Sequence, residues 1–324
     1  MKTTSKDTTG PLVTIGISTY NRVDFTLPEA LRSALDQTYP RVEVVVCDNA
    51  STDGTERFML AQRDQRLRYH RHEENIGSNG NFNACLERAQ GAYFLLLHDD
   101  DLVDPTFVER AVAAMGRSEP GVLLGGVRLI DAVGNGVGRV VAPPVDLSPA
   151  DLFMQWFGRR SSFYFCSTLF HTERLRSIGG FATPENLFQD VAAIARLASR
   201  FGYVAVPGVA GSFRQHEANH GAATRALSWA RDAAHVLDVL AEELPADAKR
   251  LRAAGARYFT QTSYRYASKE PSTRQRNEAF RTIHELFGRT YAPWRYEIER
   301  TRRRLRTYVG DWLRRIGILH RRVV

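Results

Sequence analysis

The chain is predicted to fold as an α/β protein with a mainly parallel sheet, flanking helices and a helical C-terminal extension. Three observations predict this. Strand-length apolar runs alternate with helical segments between Leu12 and Leu97, in the order β-α-β-α-β-α-β. Polar and acidic residues follow the C-terminal ends of those strands, the edge where open α/β sheets bind ligands. From Thr224 onward the sequence reads as helix alone. With 324 residues and 43% hydrophobic content, the chain can bury one large core, or one core plus a smaller helical domain. The expected division is a polar, disordered tail over 1–10, an α/β domain over 11–223 and a basic helical region over 224–324.

The first strand is Leu12 to Ser18, ending in the polar Thr19-Tyr20-Asn21-Arg22. A helix follows over about 28–37, with Pro28 in its first turn. The second strand, Val42 to Cys47, runs into Asp48-Asn49-Ala50-Ser51-Thr52-Asp53-Gly54-Thr55-Glu56. Asp53 and Glu56, three residues apart, predict a capping box. Asp48 precedes that cap at the strand tip and has no such structural duty, so it reads as functional. A short third strand, Leu67 to His70, leads to the Gly/Asn-rich Asn75 to Asn83 at the start of a helix. Glycine and asparagine permit left-handed backbone and leave N–H groups open to an anion, although an ordinary turn with an N-cap has the same composition.

The fourth strand, Tyr93 to Leu97, ends in His98-Asp99-Asp100-Asp101. Three carboxylates in a row repel one another, and a divalent cation would relieve that, since Mg²⁺ and Mn²⁺ take carboxylate oxygens. A solvated acidic loop, with Asp104 capping a helix that starts at Pro105, is the other reading. Further strands are expected at Val122–Val127 and Tyr203–Val206, and a turn at Asp131–Gly136. Phe153, Trp156, Phe157, Phe163, Tyr164 and Phe165 are mostly core. A helix from about Asn186 to Arg200 carries Asp190 near its start, where an acid also suits the helix dipole. Phe213 to Glu217 reads as a loop carrying His216, either a ligand or a surface histidine. Helices are expected over 224–244, 246–268, 273–287 and 294–313. The last is amphipathic and basic, which suits a membrane surface, a partner or a solvated bundle helix.

Composition excludes several chemistries. Cys47, Cys85 and Cys166 are far apart and form no CxxC pair, so neither a zinc site nor a disulfide framework is indicated, and a reducing compartment is the default. No apolar run approaches the ~20 residues of a membrane span, so the expected location is cytoplasmic, with possible contact at the inner face of a membrane. Residues 7–248 contain no lysine, which removes a P-loop lysine and a Schiff-base lysine from the sheet region. The net charge is +8, and Arg289 to Val324 alone supplies it, with 11 arginines against Glu297, Glu299 and Asp311.

These segments together resemble the family 2 glycosyltransferases of the GT-A fold. Ser18 to Arg22, Val44 to Thr55, Asn75 and Gly77 with Asn83, and His98 to Asp101 carry the resemblance, which covers roughly residues 11–217. It implies a sugar transferred with inversion from a nucleoside diphosphate donor, UDP-type favoured, to a glycan or lipid-linked acceptor, with Mg²⁺ or Mn²⁺. Thr19 and Tyr20 would line the nucleotide pocket, and Asp48 would accept from the base ring N–H. Arg22, Asn75, Asn83 and Asp99 would complete the donor site. Asp100, as the last aspartate of a DxD motif, would bind the metal, although a register of Asp99 to Asp101 shifts that ligand by one. His216 would assist the metal or diphosphate, and Asp190 would be the general base. The chain departs from the family pattern in carrying His98 for the first DxD aspartate, Gln189 for the acid before Asp190, and Phe82 for an arginine before Asn83.

Two rival classes are set against this. Asp99-Asp100-Asp101-Leu102-Val103 fits a haloacid-dehalogenase phosphatase motif, but it follows the fourth strand and lacks that family's downstream lysine. A nucleic-acid binder would suit the basic tail, but the acidic sheet edge would repel phosphates, so no nucleic-acid partner is expected. Attraction of the tail to anionic lipid is the preferred expectation.

Overall fold

The computed structural model describes residues 10–138, 140–142, 145–216 and 226–292. Strand β1 (Val13–Thr19) is followed by α1 (Leu27–Leu35), β2 (Val42–Asp48), α2 (Thr55–Leu60), β3 (Leu67–Arg71), α3 (Gly77–Arg88) and β4 (Tyr93–His98). The four strands run parallel in the order β3-β2-β1-β4, as the alternation predicts. β1 and β2 are buried at every position, because helices cover both faces of a parallel sheet and leave no solvated face to alternate with. Their register sets Thr19 opposite Asp48 and Ser18 opposite His98, so three strand tips end at one level.

The remaining elements are β5 (Leu102–Val103), α4 (Phe107–Met115), β6 (Val122–Ile130), α5 (Pro149–Phe157), β7 (Thr168–His171), α6 (Thr172–Ser177), α7 (Gln189–Phe201) and β8 (Tyr203–Arg214). One eight-stranded sheet results, in the order β3-β2-β1-β4-β7-β6-β8-β5. It is mixed: β7 is antiparallel to β4 and β6, β5 is antiparallel to β8, and β6 is parallel to β8.

The structure corrects four local expectations. β8 runs on past Val206, because Pro207 and Gly208 interrupt the pattern but are absorbed by register shifts opposite Gly125 and Gly126. Phe213 and Arg214 therefore belong to a strand, not a loop. Asp53 forms no capping box; its Oδ1 accepts from the amide and hydroxyl of Thr55, two residues on, at 2.9 and 2.5 Å. Asp104 likewise accepts from Thr106 at 3.0 and 2.7 Å, and the helix starts at Phe107, not Pro105. Both aspartates take the two-residue local turn that competes with capping.

Helices α8 (Ala226–Glu243), α9 (Ala248–Ala267) and α10 (Thr273–Phe287) follow. Ser272 and Gln275 form a capping box at the start of α10. One apolar cluster runs from Val45, Cys47 and Phe94 of the sheet, through Phe153 and Ile194, to Leu237, Phe259 and Ile283 of these helices. The 153–165 aromatics are core, as expected: Phe153, Trp156, Phe157, Phe163 and Phe165 are all buried. Among the described residues no helix is long and apolar enough to cross a membrane. The N-terminal tail over 1–9 and the basic helix expected over 294–313 lie outside the described residues.

Candidate functional site

The loops leaving β1 and β2 are zipped together at the sheet edge. The Asn49 amide donates to the Thr19 carbonyl at 2.9 Å, the Asn21 amide to Ser51 Oγ at 2.9 Å, and the Thr52 amide to Asn21 Oδ1 at 2.8 Å. Asn21 and Ala50 adopt positive φ of 54° and 61° to allow this; asparagine tolerates that region, whereas alanine is strained in it. Asn75 joins the same layer: its Oδ1 accepts from Asn49 Nδ2 at 2.8 Å and from the Gly77 amide at 2.9 Å.

Asp48 is fully buried beneath these loops. The Ser51 amide donates to its Oδ1 at 2.8 Å and the Tyr69 hydroxyl to its Oδ2 at 2.6 Å, with Arg71 Nε 3.9 Å away. Burial and that carboxylate push the Tyr69 hydroxyl well above the usual tyrosine range. Each carboxylate oxygen keeps a second lone pair, so Asp48 can still accept from one more N–H. Tyr20 follows Thr19, the residue set opposite Asp48, and is 44% exposed.

The acidic run is distributed by its neighbours. Asp99 Oδ2 accepts from the Tyr20 amide at 3.1 Å. Burial, then the neighbouring Asp100, raises its pKa to about 7, against the opposing Tyr20 amide and Arg22. Asp100 Oδ2 lies 2.9 Å from His216 Nε2. Asp101 is buried, accepts from the Arg214 amide at 2.9 Å, and is pushed well above the carboxylate range by burial and by Asp100. Arg214 is itself buried; its guanidinium donates to the Asp100 carbonyl at 2.8 Å, the Ala132 carbonyl at 3.1 Å and Glu29 Oε2 at 2.6 Å. That arginine staples the acidic loop to β8.

Donor atoms of His98, Asp100 and Asp101 lie within 4.8 Å of one another. One imidazole and two carboxylates, with His216 on Asp100, form a set that suits Mn²⁺ or Mg²⁺. His98 stacks on Phe82 at 5.0 Å and packs against Phe165 at 5.2 Å. Two positions that depart from the family pattern are thus in contact, an aromatic pair where an acid and a base would stand. The third departure, Gln189, is buried and donates to Asn79 Oδ1 at 3.2 Å.

Asp190 stands in the first turn of α7 and accepts from the Val191 amide at 2.8 Å. Burial raises its pKa to about 7. Burial raises the hydroxyl pKa of Tyr164, and Cys166, Tyr258, Asp190 and Asp101 each add to that rise. Asn83 is occupied by the backbone, since Phe181 receives its Nδ2 and donates to its Oδ1, both at 2.9 Å. It anchors the loop that leads toward α7.

Sequence reasoning assigned no role to Arg214, Tyr164, Tyr69 or Asp232. Asp232 carried a signal: it shares a helix face with Val236 and Val239, four and seven residues on, where an acid needs a buried partner.

Residues 14–174 match the family model "Glycosyl transferase family 2". An uncharacterized glycosyltransferase of Rickettsia conorii is 35% identical over 136 residues, which is 41% of this chain and 22% of that protein. The chain therefore spans about a fifth of the length of that curated relative. Among solved structures, S. aureus TarS 1–349 in complex with UDP-GlcNAc is similar at a TM-score of 0.60 and 17% identity, covering 88% of this chain and 92% of that one. The mannosyltransferase PcManGT from Pyrobaculum calidifontis, in complex with GDP-Man and Mn²⁺, is similar at 0.53 and 20%, covering 88% and 83%. The fold is the GT-A α/β arrangement with a helical C-terminal region, as the sequence predicted. The phosphatase and nucleic-acid readings gain no support from these matches.

Proposed function

Because the chain belongs to glycosyl transferase family 2 over residues 14–174, we propose that it transfers a sugar from a nucleoside diphosphate donor to an acceptor hydroxyl with inversion at the anomeric carbon. The acceptor oxygen forms a bond to that carbon as the bond to the diphosphate breaks. Its proton goes to Asp190, and the electron pair leaves with the nucleoside diphosphate. The observation that supports this reading is the sheet edge, where Thr19, Asp48 and the start of the His98–Asp101 run end adjacent strands at one level and His98, Asp100 and Asp101 bring donor atoms within 4.8 Å of one another. A base with a pKa of about 7 is matched to deprotonating a hydroxyl near neutral pH.

Asp48, with Thr19 and Tyr20, would take the base of the nucleotide, accepting a ring N–H on a lone pair left over by Ser51 and Tyr69. Arg22, Asn75, Asn83 and Asp99 would shape or line the same pocket. Asp100 and Asp101, with His98 or His216, would hold Mg²⁺ or Mn²⁺; such an ion stabilises the negative charge that grows on the leaving diphosphate. UDP is favoured over other nucleotides, and a glycan or lipid-linked glycan as acceptor. The arginine-rich 289–324 segment would hold the enzyme near anionic lipid.

The test is a thermal-shift panel of nucleoside diphosphates and nucleotide sugars, with Mn²⁺ or Mg²⁺ and with EDTA. A ligand that binds the fold raises its melting temperature. UDP or a UDP-sugar is expected to do so with metal and to lose the effect in EDTA. Asp100→Ala is expected to weaken this binding, while Asp190→Ala spares it and abolishes transfer. Nucleotide-sugar binding indifferent to EDTA would overturn the metal assignment.

A further inference from the structure

Asp232 lies on α8, outside the segment matched to the family, and its carboxylate is fully buried. It accepts four hydrogen bonds, all from one short stretch of chain. The donors are the Thr183 hydroxyl at 2.7 Å and the amides of Glu185 at 3.0 Å, Leu187 at 2.8 Å and Phe188 at 2.8 Å. That stretch runs directly into α7, whose second residue is Asp190. Two neighbours of Asp232 on α8 grip the same stretch. Trp229 packs edge-on against Phe188 at 5.1 Å, and Arg231 lies 3.5 Å from Glu185. Within it, Asn186 turns the chain at a φ of 56°, a region that asparagine tolerates. A buried carboxylate with this many donors is costly to replace, because its removal leaves three backbone amides unpaired. Apolar packing alone already fastens α8 to the core; the four bonds do something more specific, which is to fix one loop.

We propose that Asp232 is a positioning residue for the transfer reaction: it holds residues 183–188 in the single conformation that sets Asp190 in the first turn of α7. The inference rests on the reading of Asp190 as the base, and it makes the helical extension part of the catalytic unit.

Among charged groups, Asp190 feels Asp232 on α8, and its own charge is felt by Tyr164 in the segment after α5. The charge of Asp232 adds to burial in retaining the Asp190 proton. Removing that charge therefore loosens the loop and also lowers the pKa of the base.

The experiment uses the full chain carrying Asp232→Asn. Turnover is measured with the nucleotide sugar selected by the thermal-shift panel, and binding with UDP and Mn²⁺ by calorimetry. The expected result is a kcat lower by roughly tenfold to a hundredfold, an unchanged affinity for UDP, and an acid limb of the kcat–pH profile moved to lower pH. A merely structural role would lower the melting temperature and the active fraction but leave that limb in place. Thr183→Val removes one bond to the loop and keeps the charge, so its kcat is expected to fall with the limb unmoved. Full kcat and an unmoved limb in folded Asp232→Asn would overturn the proposal. If that variant does not fold, full kcat in Thr183→Val overturns it instead. Asp190→Ala separates the two readings: residual full turnover there defeats the base assignment, whereas a dead Asp190→Ala beside a normal Asp232→Asn defeats only the positioning role.

Discussion

Asp190 stores a conflict between folding and chemistry. Its pKa of about 7 in the fold lies above the unfolded carboxylate value, so folding favours the protonated form. Stability from this group is complete below the unfolded pKa and is lost as pH rises through about 7. The base works only when ionised, so kcat is expected to rise with pH through the same range. Asp190→Asn keeps the shape without the charge. It is expected to lower kcat by roughly 10²–10⁴-fold and, at alkaline pH, to be more stable than the wild type by on the order of 1–3 kcal/mol. Calorimetric melts across pH check this, and an Asn variant no more stable than wild type above neutrality would refute it. Single residues were legible in the sequence where a strand tip leaves them little choice. Asp48 and the acidic run follow apolar strands directly, so their shared edge follows from the alternation alone. Asp53 and Asp104 were misread because an aspartate before a helix satisfies a local turn as readily as a cap. His98 and Phe82 stand as separate departures in the sequence, and only the fold brings their rings together.

Among the elements, β8 decides how the acidic loop is held. It pairs with the two-residue β5, setting Leu102 opposite Ser212 and Val103 opposite Gly211. Arg214, two residues further, then reaches Asp100, Asp101, Ala132 and Glu29. Gly211 is the tightest point of this arrangement: an added Cβ would collide with the Cys166 carbonyl oxygen and stand 2.8 Å from the Leu102 carbonyl oxygen. Both obstacles are backbone, so the strands must part. Gly211→Ala is expected to cost about 1–3 kcal/mol in stability and to weaken metal-dependent UDP binding, since the shift propagates to Asp101 and Arg214. Chemical denaturation and calorimetry with Mn²⁺ measure the two effects; intact binding would show that the loop is held without β8. None of this pairing was readable beforehand. Strands of two and four residues carry too little periodicity to register, and their partners lie far away in sequence. β1, β2 and β4 were readable because each is six or seven residues long and apolar, and the short β3 because it falls between two helices.

At the scale of the whole molecule, the core and the charge divide the chain at different places. The expected boundary near residue 223 falls inside one apolar cluster that joins the sheet to α8, α9 and α10. Phe259 alone touches Trp156, Phe157, Phe188 and Phe287, so it fastens α9 to α5, to the loop before α7 and to α10. Cutting after residue 223 would strip that cluster and also remove Asp232. The basic excess begins only at Arg289, past the Gly288 that ends α10. Cutting after Gly288 would remove the +8 of the segment and, among the described residues of the cluster, only the partly buried Ala292. Two truncations therefore separate the two roles. A chain ending at Gly288 is expected to melt cooperatively and to keep turnover on a soluble acceptor. It is expected to lose sedimentation with phosphatidylglycerol vesicles, which the full chain shows at low salt and sheds as salt rises. A chain ending at residue 223 is expected not to give a cooperative melt. Undiminished vesicle binding after removal of 289–324 would defeat the lipid assignment, and a stable, UDP-binding 1–223 fragment would show that the sheet needs neither the helices nor Asp232.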